Sequence, residues 1–245
     1  MPSSIQARQS WMEEGILDLN IAMNYKREFC VVGNEAPACF GFPQRAWYEH
    51  WNEFITDHQN DRQAVIGSAL YLNSIPDSVA QIRKALAPSA AGNRSQGWVG
   101  YSFANPDSLA TANQRPRDTS RAELTRALTQ PSEYDPVTPP VFADPTLVPE
   151  MTWKTQPIAG HVMGTVATAA GVPFDQVSLE LRDAETDALL AERLADGSGW
   201  FGFVDLEPGR YKVLVDGARV TGRRVAVFTV RAGGVTTVQI TPRAR

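Results

Sequence analysis

Three short stretches bring amide and phenol side chains to comparable places in the chain: Asn24-Tyr25, Tyr71-Leu72-Asn73 and Tyr101. Each stands at or just past the end of an apolar run that reads as a strand. Amides give directional hydrogen bonds to hydroxyl groups, and aromatic rings stack on the apolar faces of pyranoses. One reading is therefore a sugar site built from Asn24, Tyr25, Tyr71, Asn73 and Tyr101. The other is tyrosines in a core and asparagines in turns, and spacing alone does not separate the two. Glu28 follows the first stretch as a single loop carboxylate. Glycosidases use two carboxyl groups roughly 5 to 9.5 Å apart, so Glu28 is either a candidate catalytic acid or a solvated loop residue. Cys30 and Cys39 flank a short turn-rich loop. A disulfide between them implies an oxidising compartment; two separate thiols are the alternative. His50, His58 and His161 show no ligand spacing with the cysteines, so no metal is expected. Gly-rich phosphate loops, a Ser/His/Asp order and Cys-x-x-Cys are absent from the sequence, and no cofactor is implied.

Strands and helices must position these residues. Residues 17–25, 63–72 and 97–103 read as buried strands, the second nearly all apolar in the way of a parallel strand covered on both faces. Between them, Trp47, Trp51, Phe54, Ile55 and His58 mark one face of an amphipathic helix, and Val79, Ile82 and Leu86 mark another. Residues 6–15 look like a helix closed by Gly15, and Ser120 to Glu123 fits a capping box opening a helix that stops at Pro131. Strands alternating with helices imply βαβ units and a parallel sheet. The expected fold class is multi-domain. About three βα units form an incomplete TIM-type barrel portion over residues 1–130, a Pro-rich linker follows over 131–157, and an all-β antiparallel sandwich occupies 158–245. A whole barrel needs on the order of 250 residues and eight strands, so the first part reads as the C-terminal portion of a longer protein. Its open edge suggests self-association.

The segments Ile21 to Arg27, Trp51 to Phe54, Val65 to Asn73 and Gly97 to Ser102 together resemble the C-terminal part of the glycosyl hydrolase-like 10 domain, over roughly residues 5–130. The resemblance implies a barrel related to family 10 glycosidases, action on polysaccharide such as cell-wall glycan, and an exported protein. The first half of such a barrel, with one of the two carboxyl groups, is missing from this chain. From residue 158 the pattern changes to period two, with candidate strands at 159–165, 177–183, 188–193, 200–204, 209–215, 223–230 and 236–241. The run Asp196 to Val213 is similar to carboxypeptidase regulatory-like, prealbumin-type sandwiches. That resemblance is specific for fold and weak for function. Trp200 reads as core packing ahead of sugar stacking, and Arg219, Arg223, Arg224 and Arg231 as a solvated face ahead of a ligand site.

The 245 residues are 43% hydrophobic and 20% charged, with net charge −4. The negative balance lies before residue 158. A nucleic-acid partner would need a clustered basic surface, and none is visible. No apolar run approaches the roughly 18 residues of a membrane span. The first residues lack the apolar core of a signal peptide, which taken literally places the chain in the cytoplasm. As part of a longer exported protein it belongs outside the cell or in the envelope. The expected partner is a polysaccharide or oligosaccharide. The expected function is that of a glycoside hydrolase-like portion without a complete carboxylate pair. The alternative is a non-catalytic carbohydrate-binding or structural, adhesive protein.

Overall fold

A computed structural model describes residues 10–216, 220–222 and 224–244. Residues 6–9 of the expected first helix, together with Arg219 and Arg223, lie outside the described residues. The chain divides into two compact units, Met1–Pro149 and Glu150–Arg245.

The first unit holds a three-stranded parallel sheet in the order β1-β2-β3, with β1 at Leu19–Met23, β2 at Gln63–Ala69 and β3 at Gly97–Tyr101. In register, Ala22 lies beside Ile66 and Ile66 beside Trp98. Helix α1 (Gln44–Asp57) links the first two strands and α2 (Ile75–Leu86) the last two. α2 opens where Ser74 Oγ accepts a bond from the Asp77 N–H, with Pro76 in the first turn, whose fixed φ suits that position. Ile66 packs against Tyr48 of α1 and Ala85 of α2, with Trp98 and Ile55 beside them. The alternate residues of the edge strands, Ile21, Met23 and Val99, point the other way and are exposed, Met23 at 62%.

α1 does not bury the stripe that its apolar residues mark out. Its buried positions are Gln44, Tyr48, Asn52 and Thr56. The reason is polar: Gln44 Oε1 accepts from the Arg27 N–H, and Asn52 Oδ1 accepts from Asn24 Nδ2. Both bonds turn that face towards the loop after β1. Trp47 is left exposed, and Trp51, Phe54 and His58 half-buried in a ladder of ring contacts.

The expected barrel portion is corrected here. The sheet ends at three strands, and most of the chain's strand residues lie in the second unit. After β3 come a one-turn helix, Ser108–Thr111, and helix α3 (Arg117–Thr129). The capping box expected at Ser120 does not form. α3 begins earlier, behind Pro116, and Ser120 is buried with its Oγ accepting from Arg115 Nε. The residues after α3 then fold back over the unit. Tyr134 and Val141 pack on a cluster of Leu70, Ile75, Val79, Leu124 and Ala127. Asp135 pairs with Arg83, and the Phe142 N–H donates to the Leu128 carbonyl. Seven prolines lie between residues 131 and 157. They withhold backbone donors from any further ladder, and residues 131–142 cover the core without a strand or helix of their own.

The second unit is a β-sandwich. One sheet has the order β10-β8-β5-β6 and the other β11-β4-β7, with a small pair β12-β9. The strands are β4 Gly160–Val166, β5 Ser178–Asp183, β6 Leu189–Leu194, β7 Trp200–Leu206, β8 Gly209–Asp216, β9 Val220–Thr221, β10 Val225–Val230, β11 Val235–Ile240 and β12 Arg243–Ala244. The pairing is not antiparallel throughout: β11 runs parallel to β4. The chain leaves β10 at the edge of one sheet and re-enters at the edge of the other, which sets that direction. Val162, Val166, Leu179, Leu181, Phe201 and Val213 lead the shared core. Gly164 is required there, because a Cβ would stand 2.3 Å from the Val238 carbonyl oxygen and 2.7 Å from Phe201 Cζ.

Candidate functional site

The C-terminal ends of β1, β2 and β3 bring three tyrosines together. Tyr25 lies two residues past β1, Tyr71 two residues past β2 in a 3₁₀ turn, and Tyr101 closes β3. The Tyr25 and Tyr101 rings stack, with centroids 5.5 Å apart and planes 17° from parallel. Tyr71 meets both edge-on, at 6.4 Å and 6.1 Å. These are favoured geometries for aromatic pairs. Tyr101 is 55% exposed and the other two are half-buried, so the cluster faces solvent at the sheet end. Burial, followed by the neighbouring phenols of Tyr101 and Tyr71, raises the pKa of Tyr25 above the ordinary tyrosine value. It stays a neutral hydrogen-bonding phenol. Phe103, just past β3, is a further exposed ring with the Arg121 guanidinium 4.7 Å from its centroid. Its position in an apolar run hides it in the sequence.

The two asparagines are not part of that surface. Asn24 and Asn73 are both buried. Asn24 Nδ2 donates to the Tyr48 carbonyl and to Asn52 Oδ1, each at 2.9 Å. Asn73 Nδ2 donates to the Lys26 and Ala69 carbonyls, and its Oδ1 accepts from the Glu28 N–H at 2.8 Å. Their amides are spent on holding the loop after β1 against α1 and β2. A buried backbone group must find a partner, and these side chains supply it where no strand can.

Glu28 is also buried. Its Oε1 receives Lys84 Nζ at 2.5 Å and Arg45 Nε at 3.0 Å, while Arg45 Nε also reaches the Glu28 carbonyl. Lys84 is shared with Glu49 at 2.6 Å. Oε2 has no hydrogen-bond partner among the described residues. The carboxylate is thus neither solvated nor presented on the tyrosine surface; two cations hold it. Lys26 beside it is half-buried, which lowers its pKa. Cys30 and Cys39 form a disulfide, with Cα atoms 5.5 Å apart, closing the loop that follows Glu28.

Along β1 lies a cavity of about 210 Å³, lined by Ala22, Met23, Asn24, Lys26, Trp51 and Phe54. It exists because α1 turns its amide face inward and leaves its indole and phenyl beside an edge strand. Among the described residues no group of His, Cys, Asp and Glu could hold a metal ion. No helix among them is long and apolar enough to cross a membrane.

No protein-family model matches the chain, and no curated protein matches it. Among solved structures it is similar to the minor pilin of Streptococcus agalactiae, at 14% identity over 36% of this chain and 46% of the pilin, with a TM-score of 0.30. A DUF3823 family protein from Parabacteroides merdae matches at 15% identity over 36% of this chain and 48% of its own, TM-score 0.30. A candidate carbohydrate-binding protein from Pseudomonas aeruginosa matches at 13% over 35% of this chain and 90% of its own, TM-score 0.25. The chain spans less than half the length of the first two.

These findings overturn the resemblance to the glycosyl hydrolase-like 10 domain. Neither that barrel nor a carboxypeptidase regulatory-like sandwich is matched by a family model, and the parallel sheet of the first unit stops at three strands. The segments that carry the resemblance are the three strands with the turns after them and the middle of α1, which any parallel strand–helix unit uses. Function therefore rests on the sites themselves.

Proposed function

We propose that this chain is a non-catalytic, polysaccharide-binding protein of the cell exterior or envelope, with the tyrosine cluster of its first unit as a sugar platform. The observation that carries this reading is the stacked Tyr25–Tyr101 pair, buttressed by Tyr71 and open to solvent at one sheet end. A rigid aromatic surface accepts the C–H face of a pyranose, and three phenols around it can exchange hydrogen bonds with sugar hydroxyls. Hydrolysis would need a carboxyl pair beside that surface. Glu28, the candidate acid, is instead engaged by Lys84 and Arg45. The Cys30–Cys39 disulfide supports a place outside the cytoplasm.

Titration calorimetry of the whole chain with cellohexaose and with N-acetylchitohexaose tests the platform. Tyr101→Ala is expected to weaken binding about tenfold or more, with an unchanged far-UV circular dichroism spectrum. Binding equal to wild type in Tyr101→Ala, or release of reducing ends from either hexasaccharide, would sink the reading.

A second reading, assembly of copies through the first unit's sheet, is favoured by one observation. Ile21, Met23 and Val99 leave one face of a parallel sheet apolar and uncovered, where such sheets are ordinarily covered on both. Sedimentation equilibrium over a hundredfold concentration range should show assembly that Met23→Lys suppresses. A monomer throughout that range would refute it.

A further inference from the structure

The second unit carries an aromatic surface of its own, and it lies on the side that the sequence assigns to the core. Trp200 opens β7 and is 46% exposed. Phe201 and Phe203 take the inward positions of the same strand, so the pleat sends Trp200 and Gly202 outward. The benzo edge of the indole lies over Gly202: a Cβ there would stand 2.8 Å from Trp200 Cη2 and 3.1 Å from Cζ2. The glycine is what lets the ring lie down on the sheet rather than stand off it. β3 of the first unit repeats this device, where Trp98 lies over Gly100. There the indole is half-buried and its Nε1 donates to Ser68 Oγ. In β7 the ring is left open to solvent.

The register supplies its surroundings. Thr165 of β4 lies beside Trp200, and Gln239 of β11 beside Thr165. The next row is Gly202, Met163 and Thr237. All of these side chains point away from the core, and none is Asp, Glu, Lys or Arg. Strands about 4.8 Å apart place Trp200 and Gln239 about 10 Å from each other across β4, roughly the length of a disaccharide. These positions thus combine one large ring, one exposed thioether, one amide, two hydroxyls and no charged side chain. A protein interface of useful size would need several large anchors, and an anionic ligand would need cations. A neutral sugar chain needs a ring to stack on and short polar groups beside it.

We infer that the outer face of the β11-β4-β7 sheet is a second glycan-binding surface, taking a neutral linear polysaccharide, with Trp200 as the stacking residue and Gln239, Thr165 and Thr237 as hydrogen-bonding partners. It is separate from the tyrosine cluster and does not depend on it.

The whole chain titrated with cellohexaose and with N-acetylchitohexaose should show more than one binding equivalent for at least one of them. Trp200→Ala should remove one equivalent, or weaken it about tenfold or more, with the thermal transitions unchanged. Gly202→Ala keeps the indole but lifts it from the sheet, and should weaken the same equivalent several-fold. Tyr101→Ala should leave that equivalent intact. If Trp200→Ala and Gly202→Ala bind both hexasaccharides as wild type does, the inference is wrong, even where Tyr101→Ala loses binding. If neither hexasaccharide binds the wild-type chain, both surfaces are refuted together.

Discussion

Tyr48 is the residue on which the first unit's interior turns. It is fully buried on α1, its hydroxyl 2.7 Å from Ser68 Oγ and within bonding distance of the Gln81 carbonyl. Its own carbonyl accepts from Asn24. Burial outweighs these bonds and pushes the phenol up to about 12 from the ordinary 10.0. The folded state therefore keeps a proton that the unfolded chain releases above pH 10. The stabilisation is complete below that pH and is lost as pH rises towards about 12. Linkage sets the slope at about 1.4 kcal/mol per pH unit for one such group. Urea denaturation at about pH 9 and about pH 11 should show wild type losing this increment relative to Tyr48→Phe. A constant difference between the two proteins would mean that Tyr48 does not titrate as its burial requires. Asn73 works at the same scale. It joins Lys26 and Glu28, in a loop that no ladder reaches, to Ala69 at the end of β2, and so fixes where Tyr25 stands.

Among elements, α1 and the loop before it show how polar contacts override an apolar stripe. A stripe of Trp51, Phe54, Ile55 and His58 would ordinarily choose the core face of a helix. Here Gln44 and Asn52 are drawn inward by donors of the loop after β1, because an unpaired buried donor costs about 1–3 kcal/mol. The indole and phenyl are left along β1, where they help form its cavity. The same loop carries the disulfide. Closing a loop of about ten residues is worth about 2–3 kcal/mol in the unfolded-chain model. The two tryptophan–glycine pairs, Trp98 over Gly100 and Trp200 over Gly202, are one local device in two surroundings. α2 and Ser68 cover the first, and nothing among the described residues is placed over the second in the same way.

At the scale of the whole molecule, the chain is two units with separate cores, one built on a parallel sheet and helices, the other on a sandwich. The disulfide lies wholly in the first. Scanning calorimetry should resolve two transitions, and dithiothreitol should lower one of them by about 5–10 °C while the other holds. Equal shifts in both, or none, would contradict this assignment. The two proposed sugar surfaces also fall one to each unit.

The order of strands and helices in the first unit, and the change to period two near residue 158, are legible in the sequence, because both are local: they depend on apolar spacing, prolines and glycines within one element. The seven candidate strands of the sandwich each overlap a strand of the structure for the same reason. How many strands share a sheet is not local, and there the sequence pattern misleads: the strand–helix rhythm suggests a barrel, whereas the sheet stops at three strands and coil covers its flank. Direction is not local either, since β11 lies parallel to β4 only through its crossing between sheets. Of the candidate site residues, the tyrosines meet because parallel strands in register end at one level. Asn24, Asn73 and Glu28 have the same local appearance as surface ligands. Only the folded chain, by bringing carbonyls, an asparagine amide and two cations to them, turns them inward. Trp200 is the converse: its neighbours in sequence are core residues, and the pleat alone puts it outside.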